Sequence, residues 1–82
     1  MTYRSRTDII SEILEAANGG VTQTKIMYKA LLNYAQMKQY LMLLTHNGLL
    51  SYDLDTRTFK TTEKGLRFLY TYNQMYGMIK AI

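Results

Sequence analysis

Residues 47–65, NGLLSYDLDTRTFKTTEKG, are where the chain stops reading as helix, and this interruption constrains the fold more than any other feature. LLSY and TFK, β-branched and aromatic, flank the Asp-rich connection DLDTR and predict two short strands joined by a turn. Gly48 suits the left-handed conformation that follows a helix C-terminus, and Thr62 can cap a new helix. The hairpin is therefore set between helices.

Upstream, Ser5 or Thr7 can cap a first helix. Asp8 stands three residues after Ser5, and Ile9, Ile10, Ile13, Leu14 and Ala17 follow at helical spacing. NGG at 18–20 ends it, and Val21 is a short extended link. Thr22 caps a second helix of about two turns, QTKIMYKAL, with Ile26, Met27, Ala30 and Leu31 on one side. Asn33 with Gln36 three residues on forms a reciprocal cap, so a third helix spans about 34–47. Met37, Leu41 and Leu44 line its core face, flanked by Tyr34 and Tyr40, with Ala35, Lys38, Gln39, Met42 and His46 opposite. After the hairpin comes a last helix, EKGLRFLYTYNQMYGMIKAI.

With 82 residues there is room for one domain, and a chain this short buries only roughly 60% of its unfolded surface, so association with a second copy is an obvious source of added stability. A 48% hydrophobic content with eight Tyr and six Met argues for a packed core. The absence of Cys removes disulfides and thiolate metal sites, and a single His, His46, assembles no metal cluster. No stretch approaches the ~18 apolar residues of a membrane span, and MTYRSRTDII lacks a signal peptide's apolar run. The expectation is a cytoplasmic chain without cofactor or small-molecule ligand. No nucleophile with a base, nor paired carboxylates, is apparent, which argues against an enzyme.

The net charge is +4, and no acid occurs between Ala16 and Tyr52, where Lys25, Lys29 and Lys38 lie; Arg4 and Arg6 precede them. One-signed charge on a small domain suggests a polyanion, although solvated lysines are the plainer reading. The order helix, helix, helix, hairpin, helix is that of a winged helix-turn-helix, mainly α with a small β-hairpin. In that architecture the second helix of the pair enters the major groove, where each base pair shows a distinct pattern of donors and acceptors. Lys38 can reach phosphate or guanine, Gln36 and Gln39 carry the paired donor and acceptor an adenine edge requires, and Asn33 and Tyr34 stand at an anion-favouring helix N-terminus. Lys25, Met42 and Arg57 complete the candidate DNA-binding set. Tyr28, Tyr34 and Tyr40 fall at near-helical spacing beside the core and read as packing residues, and His46, near a helix C-terminus, as structural.

TKIMYKALLNYAQMKQYLMLLTHNGLL followed by FKTTEKGLRFL closely resembles an archaeal family of small, roughly ten-kilodalton winged-helix DNA-binding proteins. The resemblance rests on Thr24, Ile26, Met27, Tyr28 and Lys29, on Tyr34, Tyr40, Leu41 and Leu44, on Gly48 and Leu49, and on Thr62, Glu63, Lys64 and Gly65. It implies a dimer that binds duplex DNA as a transcription-regulatory or chromatin protein, nucleoid-associated, and dimerises through its C-terminal helices. Two departures stand out. Thr61 replaces a frequent aliphatic residue before TEKG, which would loosen packing of the strand, and Asp53 and Asp55 offset Arg57 and Lys60, leaving the wing locally neutral.

In the last helix Phe68, Tyr72, Met75, Ile79 and Ile82 recur at spacings of four, three, four and three, a heptad seam, with Leu66, Leu69 and Tyr70 available for the domain's own core. Twenty helical residues span ~30 Å, too long for so small a body to cover. The expected division is a winged helix-turn-helix unit at 1–62 and a C-terminal dimerisation helix at 63–82, in one continuous domain. The competing reading keeps the winged-helix body as a protein–protein interaction module without DNA binding, favoured by the neutral wing and Met42.

Overall fold

The computed structural model describes residues 4–80, with side-chain surroundings to residue 77. The elements are α1 (Arg6–Ala16), α2 (Gln23–Lys29), α3 (Tyr34–His46), β1 (Leu50–Asp53), β2 (Thr58–Thr61) and α4 (Glu63–Lys80), a winged helix-turn-helix with an elongated last helix. Each helix starts where a side chain takes a backbone N–H that has no partner inside the helix. The Ser5 hydroxyl accepts from the Asp8 N–H and the Asp8 carboxylate from the Ser5 N–H, both at 3.0 Å. Thr22 accepts from the Lys25 N–H at 3.3 Å. Asn33 and Gln36 cap each other at 2.8 and 3.2 Å. Thr62 accepts from the Gly65 N–H at 3.1 Å and donates to the Gly48 carbonyl at 2.6 Å, so one hydroxyl joins the end of α3 to the start of α4.

The core draws Ile13, Leu14 and Ala17 from α1, Ile26, Ala30 and Leu32 from α2 and the turn after it, Met37, Leu41 and Leu44 from α3, Leu50 from β1 and Leu69 from α4. β1 and β2 pair antiparallel with Leu50 opposite Thr61 and Tyr52 opposite Phe59, whose rings lie 4.7 Å apart. Val21 adds a short third edge, exchanging two backbone bonds with Phe59 at 2.7 and 2.9 Å. At the turn, the Asp53 carboxylate accepts the N–H groups of Asp55 and Thr56, and Arg57 closes the loop at φ 55°.

Thr61 tightens the packing where a looser contact was expected. It is buried, its hydroxyl donates to the Leu14 carbonyl at 2.6 Å and its N–H to the Ala17 carbonyl at 3.1 Å. The Asn18 N–H turns to Glu15, so Leu14 lacks its usual helical partner and Thr61 supplies one that no aliphatic residue could. Beside it α4 crosses so closely that a Cβ on Gly65 would stand 2.4 Å from the Leu49 carbonyl oxygen and 2.6 Å from the Thr61 methyl. The glycine of TEKG is thus set by a backbone-to-backbone approach.

Two placements differ from expectation. Leu31 is 79% exposed at φ 53°, and Leu32 takes the core position, because α2 ends at Lys29, two residues earlier than its apolar spacing suggests, and gives way to a left-handed turn. Arg4 holds this turn, its guanidinium donating to the carbonyls of Ala30 and Leu31 and pairing with Glu12. In α4 only Leu69 of the three expected core residues is buried; Leu66 and Tyr70 face solvent. Phe68 and Tyr72 instead lean on the body, and the Tyr72 hydroxyl donates to the Asp8 carboxylate.

A left-handed backbone costs a residue with a Cβ about 1–2 kcal/mol, partly offset by the greater chain entropy of glycine. Leu31→Gly is therefore expected to raise Tm by about 4 °C or more in calorimetry; an unchanged or lower Tm would show that the leucine side chain stabilises the turn.

The Tyr72 hydroxyl, and next to it Ser5, hold the Asp8 carboxyl below its ordinary range, while Asp8 raises Tyr72. A depressed carboxyl stabilises the fold above the ordinary Asp range near pH ~4 and loses that contribution as pH falls through the native value. Tyr72→Phe should lower Tm at neutral pH and narrow the gap between melts at neutral pH and below pH ~3; an unaltered gap would remove this bond from the acid response.

Candidate nucleic-acid interface

The helix-turn-helix consists of α2, the left-handed turn at Leu31 and α3. Because Met37, Leu41 and Leu44 are buried, a turn of 100° per residue places Ala35, Gln39, Met42 and His46 along the outermost ridge of α3, and all four are exposed. On one flank Lys38, Leu41, Met42, Thr45 and His46 border a groove that reaches Gln23 at the start of α2 and Phe59 of the hairpin. On the other, Gln36, Gln39, Tyr40 and Leu43 meet Arg6 of α1. No acid lies on α2, on α3 or in the turn between them.

The candidate residues separate on this surface. Lys38 and Gln39 are exposed on adjoining lines of α3, and the Lys38 ammonium lies 5.6 Å from the centre of the Tyr34 ring. Among the described residues none hydrogen-bonds the Gln39 carboxamide, leaving its donor and acceptor both available. Met42 is 71% exposed on the same face. Lys25 is exposed at the start of α2. Asn33 and Gln36 form the expected reciprocal cap, and that cap competes with their candidate role: the Gln36 side-chain oxygen accepts the Asn33 N–H, which turns its carboxamide toward the helix start and leaves it less free than Gln39 to present a paired edge. Arg57 is exposed at the hairpin turn and does not border the groove, which meets the hairpin at Phe59.

Tyr28 and Tyr34 are exposed rather than packed, and only Tyr40 leans on the core. His46, expected to be structural, stands on the ridge. Arg4 is not available to a polyanion, since its guanidinium is consumed by Glu12 and two carbonyls, and Lys64 donates to the Asn47 carbonyl at 2.9 Å. Arg6, outside the candidate set, borders the second flank. Its position was open to view in the sequence, but its place beside the same groove as Gln39 depends on how α1 packs against α2 and α4, which local spacing does not carry.

In α4 the expected seam divides. Phe68 and Tyr72 are half-buried against the body, Met75 is 59% exposed, and the side chains of Ile79 and Ile82 lie outside the described residues. Phe68, Tyr72, Met75 and Tyr76 border a mainly apolar groove along the start of α1. Among the described residues no three His, Cys, Asp or Glu side chains converge on a metal site, and no helix is long and apolar enough to cross a membrane.

The family model for the winged helix-turn-helix matches residues 3–80 of the chain. Among solved structures, the fold is similar to the crystal structure of Sso10a-2, a DNA-binding protein from Sulfolobus solfataricus, with a TM-score of 0.85 over 95% of this chain and 84% of that one. Sequence identity between them is 22%, so this likeness is one of fold. No curated protein matches the sequence.

Proposed function

The chain belongs to the winged helix-turn-helix family, and from that premise we propose that it binds double-stranded DNA with α3 in the major groove, as a non-enzymatic homodimer acting as a transcription regulator or nucleoid-associated factor. The observation that carries the reading is the outward face of α3, where Lys38 and the uncommitted Gln39 stand exposed on a helix pair without a single acid. A helix of 13 residues fits the major groove, and its N-terminal half, with Lys38 and Gln39, is the part that reaches base edges in such a docking. The similarity in fold to a protein described as DNA-binding agrees with this. Lys25 and Arg6 flank the helix and suit phosphate, whereas Arg57 is a single cation at the tip of a neutral wing.

Affinity for duplex DNA should fall as salt rises, because each phosphate neutralised releases counterions. The double change Lys38→Ala and Gln39→Ala should weaken binding by about thirtyfold or more in a gel-shift titration without lowering Tm, since loss of one charge contact and one bidentate base contact is worth roughly 2–4 kcal/mol. Wild-type affinity in that variant would remove α3 as the reading element.

For the dimer, support comes from the far end of α4. From Asn73 to Gly77 every residue is exposed, Met75 among them, and the molecule extends 45 Å along its longest axis. A second α4 laid along this stretch and the groove beside Phe68 would cover apolar surface that its own body leaves open. Met75→Glu should shift sedimentation toward the monomer; a dimer of unaltered stability would place the association elsewhere.

A protein-binding role is the competing reading. Leu54, 77% exposed at the tip of the neutral wing, favours it. Absence of duplex binding at ~0.1 M salt would select it.

A further inference from the structure

We propose that the ridge of α3 reads A·T base pairs through their major-groove edge, with Gln39 taking adenine and Met42 and Ala35 taking the thymine methyl. The inference rests on the DNA-binding reading above and specifies which base pairs that reading concerns.

From its N-terminal end the ridge runs Ala35, Gln39, Met42, His46, an apolar group, an amide, an apolar group and an imidazole. Each base pair offers the major groove one distinguishing set of atoms. Adenine presents an acceptor beside an amino donor, thymine a carbonyl and a methyl, guanine two acceptors. A carboxamide with both ends available complements adenine, and Gln39 is the glutamine of α3 whose carboxamide is not held in a cap, whereas that of Gln36 is turned to the Asn33 N–H. Guanine calls for Arg or Lys. There is no Arg on α3, and its one Lys, Lys38, lies off the ridge with its ammonium over the Tyr34 ring.

Met42 supplies the independent observation. Its thioether side chain is 71% exposed on the ridge, and the groove beside it is also apolar, bordered by Leu41 and Phe59, so the apolar surface is continuous there. The apolar feature a B-form major groove presents is the C5 methyl of thymine. Methionine is long and unbranched, so it can follow a methyl through small changes of docking angle, while Ala35 offers a short methyl of its own. Ala35 and Met42 are seven residues apart, about 10 Å along the helix axis, a span over which a helix lying in the major groove meets about three successive bases. The three contacts therefore address neighbouring pairs. His46 is the last residue of α3, a turn beyond Met42, and of the ridge residues it stands farthest from the N-terminal end by which a recognition helix approaches base edges.

The test uses fluorescence anisotropy of the full chain at one fixed salt concentration with duplexes of equal length: alternating dA·dT, alternating dA·dU, dI·dC and dG·dC. Replacing thymine by uracil removes the methyl and leaves both minor-groove edges and the adenine contact in place. Inosine gives the major groove of guanine with a minor groove like that of A·T. Burying one methyl is worth about a fourfold gain in affinity, so wild type should bind dA·dT about four- to sixteenfold tighter than dA·dU. It should bind dI·dC as weakly as dG·dC. Met42→Ala should reduce the dA·dT to dA·dU ratio by about fourfold. Gln39→Ala should weaken dA·dT binding and leave that ratio unaltered. Both positions are exposed, so each variant should melt like wild type.

Equal wild-type affinity for dA·dT and dA·dU overturns the methyl assignment, and a ratio unmoved by Met42→Ala overturns the role of that residue. Equal binding of dI·dC and dA·dT assigns any A·T preference to the minor groove and overturns the proposal. In each of these cases the chain still binds DNA and the broader reading stands. Failure to bind any of the four duplexes overturns the broader reading, and the base assignment with it.

Discussion

The fold depends on how residues 61–65 bind three other elements together. Thr61 reaches α1, with its hydroxyl on the Leu14 carbonyl and its N–H on that of Ala17. Thr62 reaches the end of α3 through the Gly48 carbonyl and starts α4 through the Gly65 N–H. Gly65 then lets α4 pass against the Leu49 backbone at a distance no Cβ would permit. These bonds close carbonyls at the ends of α1 and α3 that helix geometry leaves open. A two-stranded hairpin is marginal by itself in water. Here its second strand serves as the C-terminal cap of α1, so the wing is fixed in place as a consequence of completing that helix.

The same economy governs α3. Its N-terminus is fixed by the Asn33 and Gln36 pair, and its C-terminus by Lys64 on the Asn47 carbonyl. Its inner face is fixed by Met37, Leu41 and Leu44. What remains outward is a rigid ridge whose polar groups have no structural duty, the condition under which side chains can be committed to a partner at low entropic cost. Arg4 acts from a distance of sequence, tying the carbonyls of the α2–α3 turn back to α1 through Glu12. The turn between the two helices is thereby held from outside the motif.

Local chemistry was legible in the sequence: caps at Ser5, Thr22, Asn33 and Thr62, the core triad of α3, the hairpin and its Asp-rich turn. Each follows from residues within about four positions of one another. What was illegible involves competition or distance. Gln36 reads both as a cap and as a base reader by type, and the geometry shows the cap in place, competing with the second role. Leu31 fits the apolar spacing of α2, yet the helix ends before it and Leu32 turns inward. Thr61 looked like a defect because its acceptor, Leu14, is 47 residues away. Arg4 counted as free charge until its three partners from α1 and the α2–α3 turn were in view. In α4 a heptad spacing fits both a partner helix and the chain's own α1. The structure divides it, with Phe68 and Tyr72 taken by the body and Met75 left outside.

That division bears on how the proposed DNA contact would gain strength. The formal charge of +4 is not gathered on the proposed face, because Arg4 and Lys64 direct their donors to backbone carbonyls elsewhere and the wing is neutral. On α3 itself Lys38 is the single lysine, with Lys25, Lys29 and Arg6 around it. Non-specific affinity scales with the number of phosphates neutralised, so four cations make for a weak, salt-sensitive contact. Coupling two such faces through α4 turns the second contact into an intramolecular event, where the effective concentration of the tethered face supplements its affinity. On the proposed reading, the helix that projects beyond the body and the sparsely charged recognition face are two parts of one solution. The face is specified by an amide and methyl groups rather than by charge, and the dimer contributes the strength that charge would otherwise supply.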